Sequence, residues 1–252
     1  MKISGDRVLV TGGCGGLGSA IAEAFLRLGK QVTLCDVRTD AGEHLLHEYD
    51  TLRIVEVDLG DSRQTEELLK PILSDADAPD ILINNVGISP KSDLSGKALT
   101  TWDMPLEQWN RVLAVNLTAY FHCSKLVLPS MINKRWGRII NIASLATRTG
   151  GHVAPAHYVA SKAGVLGLTK VMAKEVAPYN ITVNAINPGR IDTAMIHDVP
   201  DEVNEAYLKR IPLGRLGLPR DIAGAATFLA SDLADYLTGT TIEVNGGLYM
   251  GP

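Results

Sequence analysis

The sequence predicts a single α/β domain over residues 1–252, a doubly wound parallel sheet of about seven strands with helices on both faces. Three observations lead there. Short apolar runs alternate with longer stretches of helical pattern along the whole chain. The runs are almost continuously apolar rather than alternating, as in parallel strands covered on both faces. No repeat, charge run or linker of Pro, Gly and Ser divides the chain. With 252 residues, 46% hydrophobic and 21% charged, one domain of this kind buries a large core.

In chain order, the strand-like runs are residues 8–11, 32–36, 52–57, 81–83, 138–142, 181–186 and 241–244. The segments between them are long enough for crossover helices, including 19–28, 107–134 and 160–176. Two connections are longer than this architecture needs, 87–105 and 189–219. Both should leave the carboxyl ends of their strands, where open α/β sheets bind ligands, and long loops there commonly act as lids.

Composition narrows the function classes. A net charge of −4 offers no basic footprint for nucleic acid. Cys14, Cys35 and Cys123 are widely spaced and form no paired motif, so packed, inert thiols in a reducing compartment are expected. The chain enters an apolar strand almost at once, without a signal-peptide layout. No stretch is read as approaching the ~18 apolar residues of a membrane span. The expectation is a soluble cytoplasmic protein. His44 and His47, beside Glu43 and Glu48, have a spacing a metal could use, but no distant third ligand is evident, so a solvated face and no metal are expected.

Residues 11–18, Thr-Gly-Gly-Cys-Gly-Gly-Leu-Gly, follow the first strand and open the first helix. Glycine lets the backbone turn sharply and approach a pyrophosphate with no Cβ in the way, here at Gly12, Gly16 and Gly18. The helix start adds unpaired N–H groups and partial positive charge. The strand-turn-helix setting turns a weak motif into a dinucleotide site. Asp36 ends the second strand, eighteen positions after Gly18 (36 − 18). A carboxylate there accepts from the ribose hydroxyls and repels a 2′-phosphate, favouring NAD over NADP. Arg38, two residues on, softens that exclusion. Asp58, at the end of the third strand, is read as meeting the adenine edge or as a turn carboxylate.

Tyr158 and Lys162 lie four apart at the start of a helix and so share a face. A phenol titrating near ~10 is a poor base at neutral pH, and a neighbouring cation lowers that value. Such a tyrosine can exchange a proton with an alcohol or carbonyl while a hydride moves. The pair occurs with the glycine motif, Asn84-Asn-Val-Gly87, Asn116, Ser144 and Asn187-Pro-Gly189, all in order. This set resembles the short-chain dehydrogenase/reductase family over essentially the whole chain, down to the segment 229–247.

The resemblance implies a Rossmann-like fold, an oxidoreductase and a site. Ser144 would steady charge on the substrate oxygen, Tyr158 would be the acid/base, Lys162 would hold the nicotinamide ribose and tune Tyr158, and Asn116 would fix a relay water. Cys14, Leu17, Val37, Asp58, Leu59, Asn85, Val86, Gly87, Tyr158, Lys162, Pro188 and Gly189 would line the cofactor. Ile191 and Thr193 would meet the nicotinamide carboxamide. Against the usual family pattern, Val86 replaces an alanine, the 144–158 interval is one residue longer, and 87–109 is several longer.

Around this site His152 and His157 are candidates for touching a polar substrate. Trp102, Met104 and Trp109 are candidates for covering an apolar one, and Arg148 and Arg190 for binding an acidic group. The leading functional reading is NAD-dependent hydride transfer between nicotinamide and a secondary alcohol or ketone. One alternative is a 3-oxoacyl-thioester reductase, against which Asp36 counts if the donor is NADPH. Another is a dinucleotide-binding sensor or scaffold without turnover, which would need neither Ser144 nor Tyr158. The partner expected is a small-molecule alcohol or carbonyl compound. The resemblance further implies a homotetramer built on helices 117–131 and 160–176 and on the C-terminal segment.

Overall fold

The computed structural model describes every residue except 74–76, 93–95, 97, 152, 198–200 and 252. Seven strands, β1 (Arg7–Thr11), β2 (Gln31–Asp36), β3 (Leu52–Glu56), β4 (Ile81–Asn84), β5 (Gly137–Ile142), β6 (Ile181–Pro188) and β7 (Thr241–Val244), form one parallel sheet in the order β3-β2-β1-β4-β5-β6-β7. Each strand lies within two residues of the run expected at either end. The order reverses between β1 and β4, where Val8, Leu9 and Val10 pair with Ile81, Leu82 and Ile83. A crevice opens there at the carboxyl ends, the place this topology reserves for ligands.

The helices are α1 (Gly16–Arg27), α2 (Glu43–Leu46), α3 (Ser62–Leu69), α4 (Leu106–Leu113), α5 (Ala119–Lys134), α6 (Ala146–Thr149), α7 (Ala156–Val176), α8 (Ala194–His197), α9 (Asp201–Leu208) and α10 (Pro219–Ala230). Side chains alternate across each strand, so consecutive apolar residues feed two cores. Val8, Val10, Ile81, Ile83, Ile140 and Ile142 pack under α1 and α10 with Ile21, Phe25, Ile222 and Leu229. Leu9, Leu82, Ile139 and Val183 pack on the other face with Val127 and Met131 of α5 and Met172 and Val176 of α7. Each such fully buried aliphatic contributes about 1.5–3 kcal/mol, which is why the strands read as unbroken apolar runs.

Two sequence expectations change. The helix expected over 107–134 is interrupted: α4 and α5 are joined by a π-helical turn, Ala114–Thr118, that carries Asn116. Taken together, Leu106–Lys134 is also long and apolar enough to cross a membrane by length and composition, contrary to the reading that no stretch is. Half of its most apolar window is buried within the fold, as in a core helix. The second long loop holds α8 and α9. Lys91 Nζ of the first loop donates to the Met195 carbonyl of the second at 3.1 Å, so the two expected lids touch.

Candidate active site

The glycine turn is held by the strands around it. Gly12 has φ of +62°, donates to the Cys35 carbonyl at 2.7 Å, and a Cβ on it would come within 2.7 Å of Val86 Cα. A Cβ on Gly18 would collide with the Gly12 carbonyl, so the turn closes on the helix only with glycine there. Asn85 Nδ2 donates to the carbonyls of Thr11 and Gly12 at 3.1 and 2.9 Å, and Thr11 Oγ1 accepts from the amides of Asn85 and Val86 at 3.0 and 3.2 Å. The side chain of Asn85 is therefore a strut under the turn. Thr11, which sequence reasoning left in the motif without a role, is its counterpart.

Helix α1 begins after Gly15 with no side-chain cap and no acidic residue in its first turn. Its leading N–H groups are left for an anion. Asp36 accepts from Cys14 N at 3.0 Å and from Arg38 N at 3.2 Å, which fixes its carboxylate at the edge of the same turn. Val37 is exposed beside it, and Leu17 is half-buried against the core. A Cβ on Gly16 would lie 3.2 Å from Thr193 Cγ2, so Thr193 meets the turn across the crevice. Ile191 is buried and pairs with Gly217. Gly189 N donates to the Val244 carbonyl, and the Pro188 carbonyl accepts from Leu145 N. These residues fit a dinucleotide: a Cβ-free cradle, an uncapped helix start and a fixed carboxylate for the ribose.

Asp58 shows the turn-carboxylate half of its reading. Both oxygens of Asp58 engage Arg111 of α4, at 3.0 and 2.9 Å, and Oδ1 also accepts from Gly60 N. Asp58 is thus a turn carboxylate in an ion pair, two residues beyond β3. The Leu59 side chain is buried in the core.

The catalytic candidates converge. Ser144 follows β5, and Tyr158 and Lys162 lie one turn apart on α7. Gly87 sits between Lys162 and Asn116: a Cβ there would be 3.4 Å from Lys162 Nζ and 3.6 Å from Asn116 Oδ1. Asn116 Oδ1 accepts from Ile88 N at 2.9 Å, while its Nδ2 donates to the Ile88 carbonyl at 3.0 Å and to Ser161 Oγ at 3.2 Å. A π turn presents this amide sideways to the neighbouring loop; such turns recur at functional sites.

Lys162 is almost wholly buried and donates to Tyr120 Oη and to the Ile142 carbonyl, both at 2.8 Å. Burial lowers its ammonium to about 7. Burial raises the Tyr158 phenol above its ordinary value, and a hydrogen bond with Ser144 pulls it back only in part. The ammonium is held by Tyr120, and desolvation dominates the phenol. Tyr120, fully buried and bonded to the Val86 and Ile142 carbonyls, was missed. Its one signal was its position four residues after Asn116 in an apolar helix. Ser144 Oγ accepts from Ala146 N at 3.2 Å, which leaves its proton to be donated outward.

The other candidates separate. His157 is buried with both ring nitrogens unpartnered, and burial lowers its value; it faces the interior. His152 lies outside the described residues. Trp102 is exposed, and Met104 and Trp109 are half-buried. Arg148 pairs with Glu243 at 2.9 Å, and Arg190 donates to Asn204 and stacks on Tyr207 of α9. Cys14, Cys35 and Cys123 are buried, with thiols pushed up to about 11, well above the usual value, and to about 12. Among the described residues no group of three His, Cys, Asp or Glu could hold a metal.

The family described as Enoyl-(Acyl carrier protein) reductase matches residues 12–249. The 3-oxoacyl-[acyl-carrier-protein] reductase of Vibrio cholerae is 41% identical over 252 residues, covering 99% of this chain and 100% of that protein. That of Haemophilus influenzae is 42% identical over 250 residues, 98% and 100% of the two chains. Among solved structures, a 3-oxoacyl-[acyl-carrier protein] reductase of Brucella melitensis superposes with a TM-score of 0.87 at 37% identity, covering 97% of this chain and 91% of that one. Another from the same organism, with bound NAD, gives a TM-score of 0.85 at the same identity and coverage.

Proposed function

We propose, from the premise that the chain belongs to the short-chain dehydrogenase/reductase family of oxidoreductases, that it reduces a 3-oxoacyl group carried as a thioester, with NADH as its coenzyme. The observation that carries the chemistry is the Ser144–Tyr158 hydroxyl pair set against the buried Lys162 at the carboxyl ends of the sheet. Relatives matched over their full length support the thioester reading above the broader alcohol or ketone reading. A non-catalytic binder would need neither hydroxyl.

When bound, the coenzyme supplies the hydride for the carbonyl carbon. Gly12, Gly16, Gly18 and the start of α1 hold its diphosphate, and Asp36 takes the adenosine ribose, which favours NADH over NADPH. Asn85 keeps the cradle closed, and Thr193 and Ile191 guard its nicotinamide end. Ser144 donates to the substrate carbonyl oxygen as charge develops there. Tyr158, protonated because burial raises its pKa, delivers the proton to that oxygen. A replacement proton would come from solvent by way of Lys162, held by Tyr120, and a water fixed by Asn116.

The reading also places the enzyme in the cytoplasm, in keeping with its free buried thiols, and makes it a homotetramer. Exposed Phe121 on α5 and Val171 on α7 give those helices apolar ground to share with a second copy.

The test is consumption of NADH and of NADPH by the purified protein, side by side, with acetoacetyl-coenzyme A as the thioester. The expected result is turnover with kcat/KM for NADH at least about tenfold above that for NADPH. Oxidation of simple secondary alcohols with no thioester reduction would overturn the substrate, and a preference for NADPH would overturn the role of Asp36.

A further inference from the structure

Resting on the catalytic reading of Ser144, we infer that Glu243 of β7 is a positioning residue for the reaction and that its partner Arg148 completes the device. Ser144 N donates to Asn187 Oδ1 at 3.1 Å, and Asn187 Nδ2 donates to Glu243 Oε1 at 2.8 Å. The same oxygen accepts from Arg148 Nε at 2.9 Å. Arg148 belongs to α6, which begins two residues after Ser144. The circuit therefore closes: the loop that presents Ser144 is fastened at both ends to one carboxylate on the neighbouring strand.

The chemistry demands an acceptor at position 243. An amide side chain can face either way, and only one orientation lets Asn187 receive the Ser144 N–H. Glu243 is acceptor-only, so it draws the NH2 group of Asn187 and turns the oxygen toward Ser144. The Arg148 guanidinium holds the carboxylate in register, and the pair is only partly exposed, 32% and 22% for the two side chains. Glu243 Oε2 is buried with no hydrogen-bond partner, so all of this carboxylate's hold on the loop passes through Oε1. Further bonds then set the hydroxyl: Leu145 N to the Pro188 carbonyl at 3.0 Å, Thr147 Oγ1 to the Ser144 carbonyl at 2.8 Å, and Ala146 N to Ser144 Oγ. Without Glu243, Asn187 can rotate and Ser144 drifts from Tyr158.

The test uses Glu243→Ala, Glu243→Gln, Ser144→Ala and Ser144→Ala/Glu243→Ala, with NADH and acetoacetyl-coenzyme A. Glu243→Ala should lower kcat about tenfold with KM for NADH unchanged, because misplacement of a reacting group is felt in turnover. Glu243→Gln keeps an accepting oxygen and should recover most of the rate. In the Ser144→Ala background the second change should cost almost nothing, since the two act as one unit. A full second loss, or an unchanged kcat in Glu243→Ala, overturns the inference. Wild-type rate in Ser144→Ala would instead overturn the catalytic reading. Deuterium exchange over residues 143–149 tests the geometry independently of turnover: faster exchange in Glu243→Ala but not in Glu243→Gln is expected, and equal exchange in both contradicts it.

Discussion

At the residue scale the site is built on a buried cation that pays for its position. Lys162 is pulled from 10.5 to about 7 by desolvation and is held by two oxygens, Tyr120 Oη and the Ile142 carbonyl. The folded value lies below the unfolded one, so this residue's contribution to stability is fully present above about pH 10.5. It is lost progressively as pH falls to about 7, because the unfolded chain binds the proton more readily. Lys162→Met lacks this dependence. In denaturant unfolding without cofactor, stability of the variant relative to wild type should be greater near about pH 7 than near about pH 9.5. A difference that is constant, or that grows with pH, would contradict the assignment. Tyr158, Lys162 and Ser144 were legible because their chemistry is rare in that order. Tyr120 and Glu243 were not, since a buried tyrosine in an apolar helix and an acidic residue on a strand have ordinary packing explanations until the fold brings them to Lys162 and Asn187.

At the element scale, strand positions were legible because a parallel sheet covered on both faces leaves a dense apolar signature. The π turn at Ala114–Thr118 was not: one inserted residue barely alters helical periodicity, and its purpose, the bonds from Asn116 to Ile88, lies in another segment. The ion pair of Asp58 was illegible for a related reason, its partner Arg111 standing 53 positions away. The glycine turn makes a sharp prediction. In Gly18→Ala the new Cβ meets the Gly12 carbonyl, and the turn must open. The affinity for NADH, read by calorimetry, should fall at least about tenfold, with stability reduced by about 1–3 kcal/mol. Unchanged affinity would show that the turn does not grip the diphosphate.

At the scale of the whole molecule, the reversal of strand order between β1 and β4 brings the cradle, the Ser144 loop and the two long loops, which touch, to one edge of the sheet. The class was readable from the alternation of elements and their unbroken apolar strands, and the strand order was not. The substrate was not, since the pocket wall is built from the long loops, whose residues carry no period. Assembly is likewise a property of surfaces. Light scattering at micromolar concentration should report a tetramer, and Phe121→Glu with Val171→Glu should shift it to smaller species. A wild-type monomer would contradict the shared use of α5 and α7.

The central claim is that the Tyr158 phenol delivers the proton to the carbonyl oxygen beside Ser144. Its most direct test is Tyr158→Phe, measured for NADH affinity by calorimetry and for acetoacetyl-coenzyme A reduction by coenzyme consumption. The account predicts undiminished NADH binding with turnover reduced by about 10²–10⁴-fold. Reduction at the wild-type rate by Tyr158→Phe, with NADH bound as tightly, would contradict it.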